Sequence, residues 1–433
     1  MARYHFIGIK GSGMSALASI LFDLGHEVQG SDTTEYLFTQ KGLDAREITL
    51  LPFAAANITS DWILIQGNAF NAENNVEVAA AIAQNIPLVT YYDFLGEMTR
   101  NLMSVGIAGT HGKTTTTGLF AQVFADAKPT AFLIGDGTGK AQENAEVFLF
   151  ESCEYRRHFL HYSPDYAVIT NIEHDHPDYF KDLDDVLDAF NHYADLATKA
   201  VVACGDDANT RLLQTQTPVY FYGLDAHNDV RAINVQRTTA GVRFDVQMQG
   251  RIIGTFQLPF FGDHMILNSL AVITVGILEG LEASQIEASL QHFHGVQRRF
   301  HLEMIGDQVV VDDYAHHPTE IKVTIQALKQ KYPERELVIA FQPHTYSRTA
   351  TFLHEFAEIL SQADCVYISE IFASAREAKG TVHADDLIAL IPNAKFFAPE
   401  KLHELRDHHN AVVVFMGAGD INRLIPDYRK LEN

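Results

Sequence analysis

The chain has 433 residues, 47% of them apolar and 20% charged, which is enough for two to four domains with a core each. Acidic residues outnumber basic ones by 55 to 32, and a net charge of −23 argues against nucleic acid or an anionic membrane as the partner. Cys153, Cys204 and Cys365 stand far apart with no CxxC pair, which excludes a disulfide framework and fits a reducing cytoplasm.

An apolar strand is expected over residues 4–9, then a glycine turn and a helix over 14–24. Lys10, Gly11, Ser12 and Gly13 interrupt the apolar run, so it reads as strand and turn and not as a signal peptide. No later stretch is long enough to span a membrane. Further strands are expected at 27–30, 62–66 and 87–90. The theme restarts with a strand at 104–108, a glycine-rich turn at 109–112 and a helix from Lys113. Strand-like runs at 146–151 and 166–171 follow, and an alternating pair at 241–248 and 251–257 around Gly250 reads as an inserted hairpin. Beyond Gln308, strands at 308–312, 336–341, 365–371, 394–397 and 411–416 alternate with helical stretches, the pattern of a parallel, doubly wound sheet. These breaks predict domains at 1–100, 101–297 and 298–433.

The strongest local signal is Gly109-Thr110-His111-Gly112-Lys113-Thr114-Thr115, after a strand and opening a helix. Such a turn presents backbone N–H groups and a positive helix end to phosphate oxygens. Lys113 supplies a charge for the β- and γ-phosphates, and the Thr114 hydroxyl is placed to ligate Mg²⁺. Ile107 stands where the strict phosphate-loop spacing has glycine, so the loop is a shorter variant. A second phosphate-type turn is Gly8-Ile9-Lys10-Gly11-Ser12-Gly13-Met14, with Ser31 and Asp32 ending the next strand. Its GxxGxG spacing departs from the dinucleotide fingerprint GxGxxG and weakens a nicotinamide reading; a structural glycine turn competes with both.

Glu151, Glu154, His174, Asp175 and His176 fall near two strand ends, where ligands of a parallel sheet bind. One carboxylate and one imidazole, Glu151 and His176, suit Mg²⁺ or Mn²⁺ shared with phosphates. Gly262-Asp263-His264 with Asn268 opens a helix and could contact a base. Arg298-Arg299-Phe300 sits at a domain junction. Asp312-Asp313-Tyr314-Ala315-His316-His317-Pro318 and Phe341-Gln342-Pro343-His344-Thr345-Tyr346-Ser347-Arg348 end two strands of the last domain.

The segments GIKGSGMSALA, AGTHGKTTTT, TNIEHDHPDY, RRF, DDYAHHPTE and FQPHTYSRT, in this order and separation, resemble the Mur ligase family over essentially the whole chain. The resemblance implies three α/β domains: an N-terminal Rossmann-like domain for a UDP-sugar, a central phosphate-loop ATP domain with a small β insertion, and a C-terminal Rossmann-like domain that closes over the amino acid. The implied reaction uses ATP to activate the lactyl carboxylate of UDP-N-acetylmuramate as an acyl phosphate, which the amine of L-alanine attacks. FQPHTYSRT is the segment that points to alanine, since members adding a preformed tripeptide differ there.

The same resemblance implies residue roles. Lys113, Glu151, His176 and Arg299 form the catalytic set, and Thr114, Glu151 and His176 hold the metal. Residues 109–115, Asn268, Arg299 and Asp313 meet ATP. Gly8, Gly11, Ser12, Gly13, Met14, Ser31 and Asp32 meet the UDP-sugar, and Tyr314, His344 and Arg348 meet the amino acid. Met265 stands where the family commonly has asparagine, and Lys181 and Lys199 do not match the spacing of the carbamylated lysine of some relatives. Competing readings are a ligase adding a peptide or glutamate to another acceptor, a nucleotide-regulated binding protein and, more distantly, a dehydrogenase.

Overall fold

Residues 3–7 carry large side chains, the last four buried in succession, and enter a sheet as its middle strand. In the computed structural model, which describes residues 1–176, 179–296, 298–373, 377 and 379–431, this is β1 (Arg3–Ile7). It joins β2 (Glu27–Asp32), β3 (Thr49–Pro52), β4 (Ile63–Gln66) and β5 (Leu88–Thr90) in a parallel sheet of order β3-β2-β1-β4-β5. In a parallel sheet every strand ends on one edge, so the turn after β1, the loop after β4 and the helix Tyr91–Asn101 after β5 share that edge.

The second sheet has ten strands: β6 (Met103–Ala108), β7 (Thr130–Leu133), β8 (Gly139–Ala141), β9 (Val147–Glu151), β10 (Tyr166–Ile169), β11 (Ala200–Cys204), β12 (Val219–Gly223), β13 (Val230–Thr238), β14 (Gly241–Met248) and β15 (Arg251–Leu258). Their order is β15-β14-β13-β12-β11-β10-β6-β9-β7-β8. β6 lies between β10 and β9, both parallel to it, so the residues following these three strands emerge side by side. β6, β9 and β10 are almost wholly apolar because helices cover both of their faces.

The third sheet comprises β16 (His301–Ile305), β17 (Gln308–Asp313), β18 (Leu337–Phe341), β19 (Cys365–Ile368), β20 (Ala394–Phe396) and β21 (Val412–Met416). Its order is β16-β17-β21-β18-β19-β20, parallel except for the β16 edge strand. The α/β class with a central insertion and a doubly wound last sheet agrees with the expectation from sequence.

By packing, the chain forms two compact units. One comprises Met1–Asn234, Phe244–Phe256 and Leu267–Phe293; the other comprises Val235–Arg243, Gln257–Ile266 and His294–Asn433. The first two sheets share the first unit because β8 lies against the helix Ser12–Asp23. A Cβ on Gly139 would stand 1.9 Å from the Ala16 carbonyl, so only glycine permits that approach. Arg46 fixes the contact, pairing with Asp23 at 2.8 Å and donating to the Gly139 carbonyl at 3.2 Å. Among the described residues no helix is long and apolar enough to cross a membrane.

Candidate active site

The phosphate turn follows β6. Gly109 has φ +135°, and a Cβ there would lie 2.1 Å from Thr170 Oγ1, so this position admits only glycine. The turn is held by the end of the neighbouring strand β10. Asn171 Oδ1 accepts from the His111 N–H at 2.8 Å, and the Thr170 hydroxyl donates to the His111 carbonyl at 2.6 Å. Thr170 and Asn171 were not singled out from sequence; β6–β10 pairing is what makes them supports of the turn.

The helix Lys113–Ala127 starts from Gly112 with no side-chain cap and no acidic residue in its first turn. Its leading N–H groups and positive dipole end are therefore left for an anion. Thr114 and Thr115 lie half-buried in that first turn. The Asn268 amide is buried against the same turn, 3.4 Å from where a Cβ on Gly112 would stand.

Lys113 folds back over its own loop, donating to the carbonyls of Gly109 and Thr110. It also meets both oxygens of Glu154, at 3.2 and 3.0 Å. Burial acts to lower the Lys113 pKa, but the adjoining Glu154 carboxylate outweighs it and holds the ammonium above its ordinary value. His176 Nε2 is 3.8 Å from Glu154 Oε1 and 3.8 Å from Asp175 Oδ2. Glu151, the carboxylate singled out from sequence, instead accepts from the Gly135 N–H at 2.7 Å. Glu154 makes the direct contacts to Lys113 and His176, and the Glu151 charge also acts to raise the Lys113 pKa. Pro177 and Asp178 of the same motif lie outside the described residues.

These donors fit a divalent cation. The Glu154 carboxylate and the His176 imidazole supply oxygen and nitrogen ligands a few ångströms apart, beside a phosphate turn bearing the Thr114 hydroxyl.

The second glycine turn follows β1. Gly8 has φ +85°, and a Cβ on it would strike the Phe70 ring at 2.1 Å. Ser31 stabilises this turn through its carbonyl, which accepts from the N–H groups of Gly8 and Ile9 at 2.9 and 3.1 Å. The buried Ser31 hydroxyl donates to Glu77, a fully buried carboxylate that also faces His5 at 3.4 Å. Asp32 accepts from the backbone N–H of Lys10 and of Thr33, each at 2.7 Å. Ser31 and Asp32 thus shape the turn, and Met14 lies in the hydrophobic core. Gly11, Ser12 and Gly13 open the helix Ser12–Asp23, which also lacks a side-chain cap.

In the second unit, Asp313 accepts from the N–H groups of Ala315 at 2.8 Å and Phe300 at 2.9 Å. Burial pushes its carboxyl up to about 6. The Tyr314 ring lies 4.8 Å from each of the Arg298 and Arg299 guanidinium groups. Arg299 also lies 3.6 Å from Glu320. Arg348 Nη1 is 3.5 Å from His344 Nδ1, and the His344 ring stacks on Phe372 at 5.7 Å. Burial, then the His316 and Arg348 charges, bring the His344 pKa down to about 4, so the imidazole is neutral at neutral pH. His264, half-buried, is likewise lowered to about 4 by desolvation, while Asp263 pairs with Arg237 at 2.6 Å.

Three family models match the chain: "Mur ligase family, catalytic domain" over residues 3–102, "Mur ligase middle domain" over 107–276 and "Mur ligase, glutamate ligase domain" over 298–420. UDP-N-acetylmuramate-alanine ligase MurC from Thermotoga maritima is similar at 27% identity and TM-score 0.79, over 100% of this chain and 99% of that one. The UDP-N-acetylmuramate:L-alanyl-gamma-D-glutamyl-meso-diaminopimelate ligase from Neisseria meningitides is similar at 28% identity and TM-score 0.60, over 69% of this chain and 100% of that one. MurF ligase from Thermotoga maritima, solved in complex with ADP, shares the fold at 17% identity and TM-score 0.68, over 88% of this chain and 97% of that one. Fold and matches together define an ATP-dependent ligase that forms amide bonds. The chain belongs to the Mur ligase family.

Proposed function

We propose that the protein joins L-alanine to the lactyl carboxylate of UDP-N-acetylmuramate, with release of ADP and phosphate. The observation that carries the ligase chemistry is the gathering of Lys113, Glu154 and His176 around an uncapped helix N-terminus. Two anions, a triphosphate and a carboxylate, must approach in line, and this cluster concentrates the groups that offset their repulsion. The Lys113 ammonium is released from Glu154 to the β- and γ-phosphates as nucleotide enters, while the first-turn N–H groups orient the phosphate oxygens. Thr114, Glu154 and His176 would hold Mg²⁺ or Mn²⁺, which when bound neutralises phosphate charge.

The UDP-sugar is assigned to the turn at Gly8–Gly13, whose geometry Ser31, Asp32 and Glu77 maintain. The amino acid is assigned to His344 and Arg348 with Tyr314. A neutral His344 leaves Arg348 as the cation for the alanine carboxylate, and the Phe372 ring beside it suits a small side chain. Arg299 and Asn268 are assigned to the nucleotide, with Asp313 organising the backbone on either side of it.

Similarity to the Thermotoga alanine ligase over the whole chain supports alanine as the amine. The Neisseria match makes a tripeptide the rival. Purified protein with Mg²⁺, ATP and UDP-N-acetylmuramate is therefore assayed against L-alanine, other amino acids and a tripeptide. ADP release that requires L-alanine supports the proposal; release that requires the tripeptide, or no co-substrate at all, overturns it.

A further inference from the structure

Between Glu154 and the end of the helical turn Tyr155–His161, two consecutive arginines adopt left-handed backbone angles, Arg156 with φ 53° and Arg157 with φ 58°. Residues with a Cβ seldom take this conformation, so the surrounding contacts must hold it. Arg157 is anchored, reaching Asp185 at 2.6 Å and Asp188 at 2.8 Å. His158 stacks on Tyr92 with ring centroids 3.9 Å apart, and His161 meets Asp93 at 3.0 Å. Tyr92 and Asp93 begin the helix that leaves the carboxyl edge of the first sheet, the edge that carries the Gly8 turn. At its other end the same segment delivers Glu154 to Lys113. The turn therefore bridges the proposed UDP-sugar edge and the phosphate turn within one compact unit.

Arg156 stands in this bridge in a different state from Arg157. It is exposed, its guanidinium lies 5.5 Å from the Tyr155 ring, and it has no carboxylate partner among the described residues. The Tyr155 ring next to it lies 4.7 Å from the His176 ring, so this arginine without a carboxylate partner stands near the proposed metal-binding imidazole, where it offers a place for an anion. Its charge also reaches the His158 imidazole, whose pKa falls to about 4 through burial first, then His161 and Arg156.

We propose that Arg156 binds the acceptor carboxylate, clasping with a two-pronged guanidinium the group that ATP is to activate. This deepens the proposed function and rests on it. Lys113 and the helix end serve the triphosphate, and the acceptor carboxylate needs a cationic donor of its own that fixes its direction. Arginine does this through paired N–H groups, and lysine cannot reproduce that geometry.

The test is equilibrium binding to the full-length protein of UDP-N-acetylmuramate and of UDP-N-acetylglucosamine, which lacks the lactyl carboxylate. Arg156→Gln should weaken the muramate about tenfold to a hundredfold, as expected for loss of a charge-assisted pair, and leave the glucosamine within about twofold. Arg156→Lys should recover only part of the loss. Arg156→Gly, which accepts the backbone angle without strain, controls for distortion and should behave like Arg156→Gln. Equal loss for both ligands, or no loss for either, overturns the assignment. Wild-type protein that fails to prefer the muramate removes the proposed function as well, so the two failures are distinguishable.

Discussion

Glu154 holds the Lys113 ammonium with both carboxylate oxygens, at 3.0 and 3.2 Å, and the same carboxylate lies 3.8 Å from His176 Nε2. The lysine thus lies beside the phosphate turn with its charge compensated. Nucleotide phosphates and a metal ion entering together would exchange partners with it: ammonium to phosphate, carboxylate to metal. No charge need be left buried and unpaired during the exchange, which would be costly.

Lys113→Ala should therefore cut kcat for ADP formation by on the order of a hundredfold or more, the scale for removing one preorganised electrostatic donor. Since Glu154 would be left buried without its cation, folding is checked by the thermal midpoint, and Lys113→Met provides a second variant of similar length. A kcat within threefold of wild type in a folded variant would show that this turn is not the catalytic phosphate site.

Glu154→Gln should raise the Mg²⁺ concentration needed for half-maximal activity, because a hard cation prefers an ionised oxygen ligand. Glu151→Gln keeps an acceptor oxygen for the Gly135 N–H and should shift the metal requirement less. Titration of both variants with Mg²⁺ separates the two carboxylates. If Glu151→Gln shows the larger shift, the metal ligand is the one the sequence pattern favours and not the one the geometry gathers.

The sequence offers both carboxylates and does not rank them by distance to Lys113, because that depends on the local chain path. Glu151 ends β9, and strand ends are where ligands collect, so it was the natural candidate. The chain continues past it: the Ser152 N–H donates to the Ile107 carbonyl at 2.8 Å and extends the ladder before Glu154 turns in toward Lys113. Strands made of buried apolar runs, β6, β9, β18 and β21, were legible nearly to the residue, whereas β1 ends at Ile7, two residues before the expected end. The short β5 and β20 and the alternating pair β14 and β15 were also legible, but other short or mixed strands were not. β8 has only three residues, Gly139–Ala141, and exists because it packs on the helix Ser12–Asp23. β13 buries only Val230 and Ala232 and then runs out into mostly exposed residues. Glu77 likewise carries no motif; its place is set by β1, β2 and the 3₁₀ turn Ala55–Asn57 meeting around it.

His344 yields a prediction about pH. Burial first, then His316 and Arg348 beside it, lower its pKa to about 4, so between pH 5.5 and 7.5 it stays neutral. The folded state thus binds fewer protons there than an unfolded chain, whose histidine titrates near 6.5. Stability from this group is present above that value and lost as pH falls toward 4. The pH profile of kcat/KM for L-alanine over pH 5.5–7.5 should have the same shape in wild type and in His344→Gln, whatever its height. An inflection between pH 6 and 7 present only in the wild type would show that His344 titrates and contributes charge to the amino acid.

The last prediction separates Arg348 from Tyr314. Arg348 lies beside a neutral histidine, so the alanine carboxylate would depend on its guanidinium, and a lysine offers only a point charge in place of paired donors. Arg348→Lys should raise the KM for L-alanine steeply, about tenfold or more on the scale of a charge-assisted hydrogen bond, with the KM for ATP nearly unchanged. Tyr314 is expected to behave differently. Its ring lies 4.8 Å from both Arg298 and Arg299, so Tyr314→Ala removes a ring contact from two guanidinium groups as well as opening space for a larger side chain. It should admit bulkier amino acids and raise the KM for ATP through Arg299. Tyr314→Phe, which keeps the ring, should do neither. Initial-rate kinetics with L-alanine and L-valine at several ATP concentrations read both effects. Should Arg348→Lys raise the KM for ATP and for alanine equally, Arg348 belongs to the nucleotide and the amino-acid pocket must be built around other residues.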